Sequence, residues 1–329
     1  MIKQPRAWLI AAVAAGTTAL PLALSAMAPV PIGTSVKAPM EAAQQRQFST
    51  TDQAVEGLVA ASRSDDLGRL LRILGPRGAR LIRSGDGVAD REARQHFVAS
   101  YDQAHRIGYE EPNKAVLFVG SEDWPMPIPL VRMRGGWRFD TKAGEQEILD
   151  RRVGYNELSA IEVCRTYVQA QREYARMQAN AGAGRAYAQR FMSQPRTHDG
   201  LYWPVSSDEK ESPLGPLVAQ ARAEGYAPEP AHHERHPYFG YYYKILTRQG
   251  GHARGGARNY ISPDGRMTGG FALLAYPATY GDSGIMTFIV NRSGIVFEKN
   301  LGTHTVAAAR AIREYDPDPS WRPASAQAR

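Results

Sequence analysis

Three short constellations carry residue types that can do chemistry. Gly281-Asp282-Ser283-Gly284 has the core of the nucleophile motif of chymotrypsin-like proteases. That chemistry needs a histidine base, a buried aspartate to orient it, and backbone donors for the oxyanion. Here Ile285 and Met286 replace the Gly and Pro that complete the motif, and a β-turn between strands accounts for Gly281 and Gly284 more simply. Ser207-Asp208-Glu209-Lys210 has the Ser-x-x-Lys spacing in which a lysine one helical turn on activates a serine. No Lys-Thr-Gly follows, and Pro204 and Pro213 leave little room for the buried helix this requires, so a solvated loop is the simpler reading. His232-His233-Glu234-x-His236 would align His232, Glu234 and His236 on an extended segment. The second His comes one position early for a zincin, and Pro228, Pro230 and Pro237 mark an irregular polar loop, with adventitious metal binding as the alternative. No catalytic residue, resident metal or cofactor is assigned.

Binding chemistry is concentrated elsewhere. Tyr241, Tyr242 and Tyr243 stand in a β-rich run, with Tyr202, Trp203 and Tyr238 near in sequence. In a strand Tyr241 and Tyr243 share one face and Tyr242 takes the other, so one ring meets solvent if the sheet is covered on one side only. Cross-strand packing is one reading of this block; a platform for a glycan or peptide of the cell envelope is the other. Trp124, with Trp137, Phe139, Asp123 and Asp140, could line the mouth of a cavity in an N-terminal domain, although Pro125, Pro127 and Pro129 also suit a rigid edge strand. The binding candidates are therefore Tyr241, Tyr242, Tyr243, Trp203 and Trp124. Cys164, the one cysteine, falls within an apolar helical stripe and is expected to be buried, with an interchain disulfide as the alternative.

The elements that must position these residues follow a leader. Lys3 and Arg6 precede an apolar run ending in Ser25, Ala26 and Ala28, the pattern of a cleaved signal peptide over residues 1–28, with cleavage after Ala26 as a competing site. Gly16, Thr17, Thr18 and Pro21 interrupt a run that would need about 20 apolar residues to span a bilayer, so no transmembrane span is expected after cleavage. The expected location is periplasmic or secreted. Lys3 and Arg6 account for two of the formal +7 charges, leaving five on a mature chain whose arginines are scattered singly, which argues against nucleic acid as a partner. An envelope component or envelope protein fits better.

Residues 29–47, rich in Pro, Ala, Gln and Ser, suggest a flexible tether. Capping residues at 49–52 open a first helix, residues 66–74 a second that stops at Gly75-Pro76, and residues 90–104 a third. Residues 114–119 give a strand, and residues 128–140 a hairpin through Gly135-Gly136. These predict a first α+β domain over 48–150. Ala160, Val163, Tyr167, Ala170, Tyr174 and Met177 then mark a long helix over 154–178. Residues 182–237 form an irregular connection with helices over 185–192 and 216–224, before an antiparallel sheet completes a domain over 151–310; residues 311–329 remain as a tail.

The runs Phe239-Gly240-Tyr241-Tyr242-Tyr243-Lys244-Ile245-Leu246-Thr247, Met267-Thr268-Gly269-Gly270-Phe271-Ala272-Leu273-Leu274-Ala275-Tyr276-Pro277 and Ile285-Met286-Thr287-Phe288-Ile289-Val290-Asn291 resemble a bacterial exported family, the domain-of-unknown-function 2950 family, from about Phe48 to about Leu301. The resemblance implies export but no established activity. That family often carries a His immediately before the Gly-Tyr-Tyr block, where this chain has Phe239. A long helix, a Gly-rich linker and the strands around Tyr280-Gly281 and Ser283-Gly284 are similar to the soluble part of type II secretion pseudopilins, and the first domain to the cone-shaped nuclear-transport-factor-two-like fold. The expected architecture is α+β: a cone-like helix-and-sheet domain, then a long helix packed on an antiparallel, pilin-like sheet. The favoured function is a non-catalytic envelope binding or assembly module. The alternative is a hydrolase or lyase acting on an envelope polymer, with His198 or His236 meeting a carboxylate such as Asp199, Asp208 or Glu209.

Overall fold

The computed structural model describes residues 45–205, 210–224, 226 and 236–324. The leader, Ser207 to Glu209 of the Ser-x-x-Lys sequence, and His232, His233 and Glu234 lie outside the described residues. The chain is already docked at Gln45, whose side-chain amide donates to the carbonyls of Ile73 (2.9 Å) and Phe139 (2.7 Å). Phe48 then exchanges backbone hydrogen bonds with Trp137. The folded part therefore includes residues 45–47, before the expected start at Phe48, because one amide closes two carbonyls that the helix and strand ends leave open.

Local chemistry explains the first helices. The Thr50 hydroxyl caps α1 (Thr51–Arg63) by accepting from Gln53 N, and the Asp66 carboxylate caps α2 (Leu67–Leu74) by accepting from Arg69 N. Gly75, at φ +75°, ends α2 in a conformation disfavoured for residues with a Cβ. A single turn, α3 (Gly78–Ile82), leads to α4 (Gly87–Gln103). Strands β1 (His105–Glu111), β2 (Lys114–Val119), β3 (Trp124–Pro125), β4 (Leu130–Met133) and β5 (Gly136–Phe139) form an open antiparallel sheet in the order β1-β2-β4-β5, with β3 appended to β2. Ala54, Leu58, Leu70, Ile73, Leu130 and Phe139 are at the centre of this first core. β1 was not expected from the sequence. It is an edge strand exposed along most of its length, carrying His105, Arg106, Glu110 and Glu111 and a bulge, so it has no apolar alternation to reveal it.

Helix α5 (Thr141–Asn180) has 40 residues, about 60 Å at the usual rise, and starts 13 residues before the expected 154. Its first turns place only Ile148 and Leu149 against the first core, too few apolar residues to show a stripe; the strong stripe begins where Ala160, Cys164, Tyr167 and Val168 meet the second core. The division drawn at residue 150 thus falls inside one continuous helix. The connection after it packs without the helix expected over 185–192. Gln171 of α5 both donates to Ala188 O and accepts from Ala188 N, which holds the segment extended, and Tyr187 N donates to Met267 O. The helix expected over 216–224 is α6 (Gly215–Ala223).

The second sheet runs β12 (Arg322–Pro323), β11 (Val296–Asn300), β10 (Met286–Asn291), β9 (Ala272–Pro277), β6 (Tyr241–Leu246), all antiparallel, and β7 (Arg248–Gln249) pairs with β8 (Arg258–Asn259) beside it. α5 packs on one face, while α7 (Thr305–Ala311) and residues 312–321 lie on the other. Cover on both faces buries β9 throughout and makes it a continuous apolar run. The residues expected to form a tail are therefore part of the fold up to 324: Tyr315 exchanges backbone bonds with Arg248 and Gly250, Trp321 is buried, and β12 extends the sheet. The architecture is α+β with two hydrophobic cores. Among the described residues no helix is long and apolar enough to cross a membrane.

Candidate functional site

The Gly281-Asp282-Ser283-Gly284 sequence is a turn at the meeting of the two cores. Gly281 N donates to Gly284 O, and Gly281 takes φ +79°. The Ser283 hydroxyl is buried, donates to Thr279 O (3.1 Å) and accepts from Thr279 N (2.9 Å), so it pins the turn, and among the described residues it has no hydrogen bond to a histidine. Asp282 takes Arg80 through two nitrogens at 2.6 and 2.9 Å, and Arg80 and Arg77 also reach Glu145. α5 closes the joint from beneath: Asn156 donates to Ser283 O, and one oxygen of Glu157 accepts from Ile285 N and Met286 N. Burial holds the Glu157 carboxyl above the usual carboxylate range, against the lowering effect of those two bonds.

Asp86 completes the joint. One oxygen caps α4 at Val88 N and Ala89 N; the other accepts from the Tyr226 hydroxyl (2.8 Å) and from Gly240 N (2.9 Å) in the second half of the chain. Phe239 and Gly240 have φ of +49° and +70°, and a Cβ on Gly240 would come within 2.6 Å of Asn156 Nδ2. The sharp turn that launches β6 therefore depends on a glycine and on a carboxylate 154 residues away.

β6 divides the tyrosine block. Tyr241 is 0 % exposed, its ring packs on Phe288 and its hydroxyl donates to Met286 O, and burial pushes its ionisation well above the ordinary range. Tyr243 shares that face, is half-buried, and donates to Tyr238 O (3.3 Å). Tyr242 is half-buried on the opposite face beside Tyr276. Trp203 is 4 % exposed and stacks on His198. Trp124 is half-buried in β3 of the first sheet, donating to Glu122. Tyr241 and Trp203 are thus core residues, and Trp124 belongs to the first sheet; the structure does not gather the five candidates into one surface. Trp137 and Phe139 are likewise core. Asp199 accepts from Gln194 N and Thr197 and pairs with Arg190, while neighbouring His198 is taken up by Trp203. Lys210 pairs with Glu173. Cys164 is buried, and burial raises its thiol to about 12.

The Tyr242 face leads to a groove. Lys244, two residues on and on the same face, donates to Ile312 O (2.6 Å), and the cross-strand row Lys244, Leu274, Ile289, Phe297 carries this face across the sheet. A groove of about 540 Å³ opens there between β10, β11, α7 and residues 312–321. Ile289, Leu301, Ala308 and Ile312 supply apolar surface, Trp321 a wall, and Lys299, Arg313, Glu314, Asp316 and Asp318 charges of both signs. Lys299 Nζ lies 5.7 Å from the Trp321 ring centre. Asp316 accepts from both His252 N and its ring Nδ1 (2.8 Å each), tying the Gly-rich loop 250–256 to the groove and raising the imidazole above its ordinary value. Among the described residues no cluster of three or more His, Cys, Asp or Glu could hold a metal ion.

A family model described as a protein of unknown function, DUF2950, matches residues 45–324. The chain belongs to the DUF2950 family. No curated protein and no solved structure matches it. The match spans both cores of this DUF2950 chain and the segment that walls the groove. The groove is not legible in the sequence, which suggests a tail over residues 311–329. The signal against a tail is Tyr315 and Trp321, two large aromatics among prolines and aspartates, which a free tail has no reason to carry.

Proposed function

We propose that this DUF2950 protein is an exported, non-catalytic binding or assembly module of the bacterial cell envelope, and that the groove on the outer face of its second sheet holds the ligand. The observation that carries the reading is the groove itself: apolar surface, an aromatic wall and charges of both signs, converging in a space the size of small-ligand pockets. The signal-like leader supports export. The motif serine of the protease-like sequence holds a turn together, which removes the sharpest catalytic alternative. Tyr242, on the groove's face of the sheet, remains the member of the tyrosine block best placed to touch a ligand. The long helix on an antiparallel sheet also suits a pseudopilin-like envelope partner.

The test is capture of purified peptidoglycan and solubilised envelope proteins by the chain lacking its leader, beside its Tyr242→Ala and Lys299→Met variants. Selective capture weakened in either variant is the expected result. Capture unchanged in both folded variants would remove the groove face from the function. One observation favours a second reading, a hydrolase or lyase on an envelope polymer: His252 held by Asp316 at the groove is the base-and-orienter half of a catalytic triad. Polymer turnover abolished in His252→Ala would establish it.

A further inference from the structure

The groove carries side chains of both charge signs. Lys299 is half-buried, yet among the described residues it makes no hydrogen bond or close ion pair; it approaches the Trp321 ring and feels the charge of Asp318 at longer range. Glu314 is half-buried in the same groove and has no partner among the described residues either. Asp316 is occupied by His252, and Asp318 uses one oxygen on Ser320 N and Oγ, leaving the other open. A partly desolvated charge without a close partner is unfavourable, so each of these two groups favours a ligand group of the opposite sign. Ile289, Leu301 and Ile312 line the same groove with apolar surface, beside a cation, Lys299, and an anion, Glu314, that form no close ion pair with each other.

We propose that the groove binds a short peptide with free termini, its carboxylate on Lys299, its ammonium on Glu314, and an apolar side chain against Ile312 and Trp321. This rests on the groove being the ligand site of the proposed function and names the ligand class. A purely apolar ligand would leave both charges unmatched. An isolated anion or cation would satisfy one only. The volume of about 540 Å³ suits a di- or tripeptide, which a single amino acid would underfill.

The test is titration calorimetry on the full chain with Leu-Ala-Leu in three forms: free termini, N-acetylated, and C-amidated. The free form is expected to bind, with each block weakening it on the order of tenfold, the scale of one lost charge contact. Lys299→Met should erase the discrimination against the amide alone, and Glu314→Gln that against the acetyl group alone. Both positions are partly exposed, and circular dichroism checks their folding; the blocked peptides test the unaltered chain independently. Equal affinity for all three forms, or no binding of any, overturns the proposal. Envelope capture that persists while no peptide binds sinks the peptide assignment and leaves the envelope reading standing. Selective peptide binding without envelope capture does the reverse.

Discussion

Replacing Asp86 with Ala should strongly destabilise the protein, because Asp86 is 1 % exposed and accepts four hydrogen bonds. Loss of the α4 cap costs about 1 kcal/mol. The Gly240 N–H and the Tyr226 hydroxyl would be left buried without their acceptor, at about 1–3 kcal/mol each. A total of about 3–7 kcal/mol is a large share of the roughly 5–15 kcal/mol that holds a folded domain. Asp86→Asn separates the contributions. Its remaining oxygen can still cap α4, but its amide turns a donor toward both the Gly240 N–H and the Tyr226 hydroxyl; the tyrosine can turn its proton away and accept from the amide, so the Gly240 N–H bears most of the cost and about half the loss is expected. Urea unfolding followed by circular dichroism measures both, with unchanged m values identifying a true stability change. An Ala variant within 1 kcal/mol of the parent, or an Asn variant indistinguishable from it, would refute the argument that this carboxylate ties the launch of β6 to α4.

Two further outcomes follow from charge at the same joint and at the groove. Burial raises the Glu157 carboxyl in the folded state, so the folded protein binds the proton more tightly than the unfolded one and stability falls as pH rises from the ordinary carboxylate range through the folded value. Glu157→Gln, which keeps an acceptor for Ile285 N and Met286 N, should flatten that part of the pH–stability curve and be at least as stable at pH 7; a steeper curve would count against it. The hydrogen bond to Asp316 raises the His252 imidazole, so the tie is complete below the ordinary histidine value near 6.5 and is lost as pH rises through the raised folded value. Proton resonances of the His252 ring should report that raised value and move back toward the ordinary one in Asp316→Asn; identical titration in both chains would dismiss the tie.

Much of the first half was legible because its signals are local. Thr50 and Asp66 are short polar side chains placed one residue before apolar periodicity, and Gly75-Pro76 stops a helix wherever it occurs. The strand over 114–119 and the hairpin through Gly135-Gly136 were read within their own residues, as β2 and the β4–β5 pair confirm. β1 and the first turns of α5 were not, since both owe their form to neighbours instead of to an apolar pattern of their own.

The tyrosine block shows where sequence stops. Alternation along a strand put Tyr241 and Tyr242 on opposite faces, but which face would be covered depends on what else folds against the sheet. The return of residues 312–324 covers the outer face, builds the groove and brings Asp316 to His252, contacts spanning 64 residues that no periodicity encodes. By itself the sequence determined the α+β class, the helix caps, the main strands and the family. Only the tertiary structure decided which chemical side chains are buried and satisfied, as Ser283 and Tyr241 are, and which, like Lys299 and Glu314, face a groove unpaired. The reason is physical: caps, turns and periods are set by neighbours along the chain, whereas burial and charge pairing are set by segments that meet only after folding.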